Sequence, residues 1–149
     1  MPASDFYPIF VDLTKCYPDL IFWKHFERGI AGEGDIDSIA PLDLVNEISS
    51  SFVNAVIERI ENIVGIVECR YGDNTRAHFV VLKSEFPKLF QFDIAWAPRR
   101  YGVTWCDIKV LAKFSYINEM GIRVLKPAAL SIVLLMLYGI SWRGRNFMK

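Results

Sequence analysis

The sequence predicts an α+β fold: a small mixed, mainly antiparallel sheet with helices on one face. Three observations predict it. A stretch from Pro41 to Ile63 carries apolar residues at helical spacing. Three apolar or alternating runs follow it, at 64–71, 75–83 and 88–96, the first two separated by the turn signal Gly72-Asp73-Asn74. The order along the chain is helix, strands, helix, three strands, helices, which suits helices packed on a sheet.

The elements are read in order. Residues 4–17, SDFYPIFVDLTKCY, predict an opening helix with Ser4 or Asp5 as its cap and Pro8 early enough to be tolerated. LIFWKHF, 20–26, is aromatic-rich after Pro18-Asp19 and predicts a strand. ERGIAGEG holds Gly29, Gly32 and Gly34 and predicts a loop whose backbone can approach a ligand closely. DIDSIA, 35–40, alternates acid and apolar residues as a half-buried strand does. Pro41 suits the first position of a helix, and Leu42, Val45, Ile48, Phe52, Val56 and Ile60 give that helix one apolar face. Beyond the three runs, Thr104–Asn118 predicts a helix with Trp105, Ile108, Leu111 and Ala112 on one side. Ile122–Leu125 predicts a short strand. Pro127–Tyr138 predicts a helix apolar nearly all round, so it belongs to the core or to an interface.

A chain of 149 residues suits one domain, here 1–149, with a core at about 20–96 and a helical C-terminal part at about 104–149. Being 52% hydrophobic and 23% charged, it is not of the disordered class, and with Gly 9 and Pro 7 it is neither collagen-like nor low-complexity. Lys+Arg 17 balances Asp+Glu 17, without the basic excess of a nonspecific nucleic-acid binder. Neutrality with so much apolar surface hints at a partner interface, and a homodimer through the C-terminal helix is one expectation. Cys16, Cys69 and Cys106 are widely spaced, which argues against a disulfide framework or a cysteine zinc site. MPASDFYPIF has no basic stretch leading into a long apolar core, and the apolar run from Ala128 to Tyr138 is shorter than the roughly 20 residues of a membrane span. The expected setting is cytoplasmic and reducing, with no membrane partner.

The sharpest chemical feature is Gly34-Asp35-Ile36-Asp37. In a strand, residues i and i+2 share a face, so Asp35 and Asp37 would project side by side. Two adjacent carboxylates repel and call for a counter-charge, which a divalent cation supplies. Asp93 stands in the apolar run LFQFDIAW, where a lone acid is costly to bury without a partner. If that strand lies beside DIDSIA, the three acids meet, and three carboxylates suit Mg²⁺ carrying substrate phosphates. A solvated strand edge is the plainer reading of the D-x-D pair, and Arg99, Arg100 or a backbone cap is the plainer answer to Asp93.

GEGDIDSIAP followed by FQFDIAW resembles the nucleotidyltransferase superfamily of the DNA polymerase beta type. That family has an acid-apolar-acid strand and a third acid on a neighbouring strand, and the likeness covers residues 20 to about 96. The resemblance implies a Mg²⁺-dependent transfer of a nucleoside monophosphate from a nucleoside triphosphate to a hydroxyl on a small molecule, an RNA end or a protein. It implies that Asp35 and Asp37 hold two metal ions, Mg²⁺ or Mn²⁺, and that Asp93 shares the metal that activates the attacking hydroxyl. The family's Gly-Gly or Gly-Ser pair before the acids is missing; Lys24-His25-Phe26 and Glu27-Arg28-Gly29 stand there instead. Lys24 could replace that grip as a point charge on phosphate. The resemblance equally admits a non-catalytic nucleotidyltransferase-like module that binds or dimerises, such as a toxin–antitoxin component.

Further candidates surround these. Gly32 and Gly34 would bring backbone close to the nucleotide, and Arg99 and Arg100 could place a guanidinium on a phosphate or a stacked base. Trp96, Tyr101 and Trp105 could stack a base or pack a core. His25 and His78 are the only histidines and read as structural. Neither a G-x-S-x-G elbow nor a G-x-x-x-x-G-K-[ST] loop is present. Trp142-Arg143-Gly144-Arg145 reads as an exposed basic end.

Overall fold

The computed structural model describes residues 3–24, 26–72, 74–83, 88–97, 99–100, 103–104 and 106–138. His25, Asp73, Tyr101, Trp105 and the Trp142–Arg145 segment named above lie outside them.

A 3-10 turn at Ala3–Phe6 leads into α1 (Tyr7–Cys16), with Pro8 in its first turn. Then come β1 (Ile21–Lys24), α2 (Phe26–Ile30), β2 (Ile36–Ile39) and α3 (Leu42–Arg59), with Pro41 at the cap of α3. The strands β3 (Ile63–Tyr71), β4 (Thr75–Leu82) and β5 (Lys88–Ala95) follow. After them run β6 (Arg99–Arg100), β7 (Val103–Thr104), α4 (Ile108–Ala112), β8 (Ser115–Ile117), β9 (Arg123–Leu125) and α5 (Pro127–Tyr138). Seven strands form one sheet in the order β3-β4-β5-β2-β1-β9-β8, and β6 and β7 pair separately. Among the described residues, only the β2–β5 and β1–β9 pairings of the large sheet are parallel. The fold is therefore mixed, with a mainly antiparallel sheet, as the sequence predicts.

The main helical layer, α1 to α3, lies on one face. Its core is built on phenylalanines: Phe6 stacks on Phe90 at 3.9 Å, and Phe92 meets Phe52 at 4.7 Å and Phe10 at 5.1 Å. Each such pair adds about 0.5–1.5 kcal/mol beyond the area it buries. His78 is fully buried here beside Phe52 and Phe92, with Nδ1 3.3 Å from the Phe92 carbonyl. It is a core histidine, and burial holds its pKa below the usual value. The C-terminal part adds a second apolar cluster on the opposite face, where Ile108, Leu111 and Val133 pack with Ile21, Ile39 and Leu125.

Two expectations are corrected. ERGIAGEG is not loop throughout, because Phe26–Ile30 is helical. Gly29 lies inside that helix, and a Cβ there would stand 2.3 Å from Ile36 Cγ1 and 2.9 Å from the Asp35 carbonyl oxygen. This glycine serves a close approach of helix to strand, not a flexible loop. The helix expected over Thr104–Asn118 is confined to Ile108–Ala112, capped by the Asp107 side chain, which accepts from the Lys109 N–H at 2.8 Å. Ser115–Ile117 instead pairs with Arg123–Leu125. The turn between them needs Gly121 at φ 73°, and the Asn118 side chain accepts from the Met120 and Ile122 N–H groups. α5 spans the expected residues. It buries Val133 and leaves Ile132 and Met136 exposed.

Candidate metal centre

The site is built by the register of two strands. β2 and β5 run parallel with Asp37 opposite Asp93, so both side chains leave the sheet on the same face. The Ser38 hydroxyl donates to the Asp93 carbonyl at 2.8 Å and ties the strands together at that point. Asp35 immediately precedes β2, two residues before Asp37, and Gly29 of α2 packs against its carbonyl. Asp35, Asp37 and Asp93 each bring a carboxylate oxygen within 4.8 Å of the others. They lie on the face that carries Ile39 and Ala95, opposite the phenylalanine core.

Asp93 is only 9% exposed, and its pKa is pushed up to about 6. Burial is the first cause. The Gln91 amide opposes it, donating to both carboxylate oxygens at 3.0 Å, while the charges of Asp37 and Asp35 raise the pKa further and Lys24 lowers it. Gln91 is a partner that the sequence reading missed. Its spacing, two residues before Asp93 on the same strand, is the signal that would have found it.

Lys24 joins the cluster, its ammonium 3.2 Å from Asp37 Oδ2. A register shift in the β1–β2 pairing between Phe22 and Lys24 sets Lys24 opposite Asp37. Gly32, with φ 79°, and Gly34 lie in the turn that delivers Asp35, and the Glu33 N–H closes that turn onto the Arg28 carbonyl at 2.9 Å. Arg99 and Arg100 form β6 by backbone, and their side chains lie outside the described residues. Trp96 is partly buried against the phenylalanine core.

This donor set fits a hard divalent cation. Three acids converge, one of them is destabilised as an anion by its surroundings, and one lysine offsets only part of their charge. The candidate ligand atoms are all carboxylate oxygens, a set that suits Mg²⁺ or Mn²⁺ over softer metals.

No protein-family profile matches the chain, and no curated protein matches it. Solved structures do. The crystal structure of a candidate nucleotidyltransferase from H. pylori superposes with a TM-score of 0.54 at 13% identity, over 86% of this chain and 54% of that one. The crystal structure of JHP933 from Helicobacter pylori gives a TM-score of 0.54 at 13% identity, over 85% of this chain and 52% of that one. The fold is nucleotidyltransferase-like. At this identity the likeness extends to the fold alone, and the chain spans about half the length of either structure. Among the described residues, no helix is long and apolar enough to cross a membrane.

Proposed function

We propose that this chain is a Mg²⁺-dependent nucleotidyltransferase of the DNA polymerase beta type, moving a nucleoside monophosphate from a nucleoside triphosphate to a hydroxyl and releasing pyrophosphate. The observation that carries the reading is the meeting of Asp35, Asp37 and Asp93 from β2 and β5 on one sheet face. Asp35 and Asp37 would hold the ions that receive the triphosphate, and Asp93, from the neighbouring strand, would complete the site on the acceptor side. Held by these three carboxylates, two Mg²⁺ ions would supply charge neutralisation for the entering and leaving oxygens and would lower the pKa of the attacking hydroxyl. Gln91 orients the Asp93 carboxylate. Lys24, now on Asp37, has the reach to take a phosphate oxygen as a point charge when the acids are otherwise neutralised. Gly32 and Gly34 would shape the turn beneath the phosphates, and Arg99 and Arg100 are candidates for a phosphate contact.

The test is single-turnover transfer with labelled triphosphate beside a binding isotherm on Asp93→Asn. Loss of one charge that acts on the transition state lowers transfer by about 10²–10³-fold, with nucleotide affinity retained. Equal transfer by wild type and variant would remove Asp93 from the site. The Lys24–Asp37 pair supports one second reading, a module that binds nucleotide without transferring it; binding with no transfer to any acceptor would favour that reading.

A further inference from the structure

The seven-strand sheet ends differently on its two sides. One edge is β8, three residues long. An edge strand that short offers a neighbouring chain little to pair with. The other edge is β3, nine residues long, with neither Lys nor Pro between Ile63 and Tyr71. Among the described residues, no strand pairs with its outer side. Val64 is 67% exposed, Val67 56% and Tyr71 47%. A long strand edge with exposed apolar side chains is a template for a further strand. A register shift against β4 between Ile63 and Gly65 leaves Gly65–Tyr71 as its regular stretch.

The charges on that stretch are arranged for self-pairing. On the face of the phenylalanine core, Glu68 stands opposite His78 and Arg70 opposite Arg76. Glu68 serves β4, with its carboxylate oxygens 3.3 Å from Arg76 Nε and 3.5 Å from His78 Nε2. Arg70 meets a like charge directly across, an arrangement that costs stability. A cleft lined in part by Ser49, Asn54, Glu68 and Arg76 lies between α3 and the hairpin, and Glu68 and Arg70 are both exposed.

We propose that β3 pairs antiparallel with β3 of a second copy about a two-fold axis at Cys69, so that the sheet runs on from one protomer into its partner. A two-fold interface sets the same patch on both sides. Centred on Cys69, the pairing spans Val67–Tyr71. Glu68 faces the partner's Arg70, and Arg70 faces the partner's Glu68. Val67 faces the partner's Tyr71, and Tyr71 faces the partner's Val67. Opposite charges and apolar side chains placed directly across strands are the contacts that stabilise a sheet. Moving the centre one residue either way, to Glu68 or to Arg70, sets two like charges face to face and loses both ion pairs. The charges thus select a second copy as the partner, and they select the register. The axis stands perpendicular to the sheet, so both copies present their acids on the same face. Cys69, Ala77 and Asp93 share one row across β3, β4 and β5. Five strand spacings put the two Asp93 residues on the order of 24 Å apart. Each carboxylate site stays complete within its own copy.

The experiment measures mass in solution by size-exclusion chromatography with light scattering over a concentration series, with cross-linking beside it. Wild type is a dimer in the concentrated samples. Arg70→Glu sets an acid opposite Arg76 within the chain, so the fold is kept, and it weakens the dimer by about tenfold or more. Glu68→Arg alone does the same. An equimolar mixture of the two variants forms a heterodimer, because each then supplies the charge that the other lacks. Cross-linking keeps the test sharp even where Glu68→Arg fails to fold. In a Cys16→Ser/Cys106→Ser background, diamide takes up the two thiol hydrogens as Cys69 of one protomer joins Cys69 of the partner subunit. Directly opposed strand residues have Cα atoms about 4.5–5.5 Å apart, within the reach of a disulfide. The dimer cross-links at Cys69, and adding Arg70→Glu lowers the yield about tenfold at equal protein concentration. A monomer at every concentration overturns the proposal. So does a dimer that fails to cross-link at Cys69 or that Arg70→Glu leaves unchanged, which is the result expected of pairing through the exposed Ile132 and Met136 of α5.

Discussion

Along β5, Phe90, Phe92 and Ile94 enter the core beneath α1 and α3, while Gln91 and Asp93, one residue out of step, leave on the other face. The first set stabilises the fold through apolar burial and ring contacts. The second holds a nearly buried carboxylate whose ionisation is disfavoured where it stands. One strand thus carries stability on one side and strain for a site on the other. The site is held by the core behind it, since β2 and β5 must keep their parallel register for Asp37 to face Asp93.

The largest effect comes from breaking the core side. Phe92→Ala removes a fully buried ring in contact with Phe10 and Phe52, and it should destabilise the protein by about 3–5 kcal/mol in chemical denaturation. A loss under about 1 kcal/mol would mean that the two faces are not so divided.

The next effect has the opposite sign. Asp93 has its folded pKa raised to about 6 from 3.8, so between those values the folded state binds more protons than the unfolded one. Stability from this group is present below about pH 4, is lost as the pH rises through about 6, and is absent at neutral pH. Asp93→Asn should therefore stabilise the metal-free protein at pH 7.5 by on the order of 2 kcal/mol, and by little at pH 4. The difference between variant and wild type isolates Asp93 from His78. The lowered pKa of His78 acts the other way, costing stability as the pH falls through its ordinary value of 6.5. A variant less stable than wild type at neutral pH would show that the carboxylate is well satisfied and not poised for a cation.

How much of this was legible in the sequence follows the range of the interactions. The D-x-D pair and the lone acid in an apolar strand were legible because strand alternation is local, and the apolar face of α3, Phe52 included, was legible by its helical period. The Lys24–Asp37 pair was not, since it depends on a register shift between β1 and β2 that no local pattern marks. α2 was hidden by Gly29, whose function is a tertiary approach to Asp35 and Ile36. The overlong helix at Thr104–Asn118 failed because pairing with Arg123–Leu125 outweighs a weak helical period.

A smaller effect sharpens the site side. Lys24→Ala removes the ammonium from Asp37 and should weaken triphosphate binding by about tenfold, while leaving Mn²⁺ affinity equal or higher by calorimetry. Unchanged triphosphate affinity would confine Lys24 to its ion pair.

The most direct measurement is the melting temperature of wild type and Asp93→Asn at pH 7.5, titrated with Mg²⁺ and with Mn²⁺. A ligand that binds only the folded state raises stability with its concentration. Wild type should start below the variant and climb with either ion, and the variant, which keeps Asp35 and Asp37, should start higher and climb less, so that the two curves converge. A wild-type melting temperature indifferent to both ions, or an equal climb in the two proteins, would contradict a metal centre built on Asp35, Asp37 and Asp93.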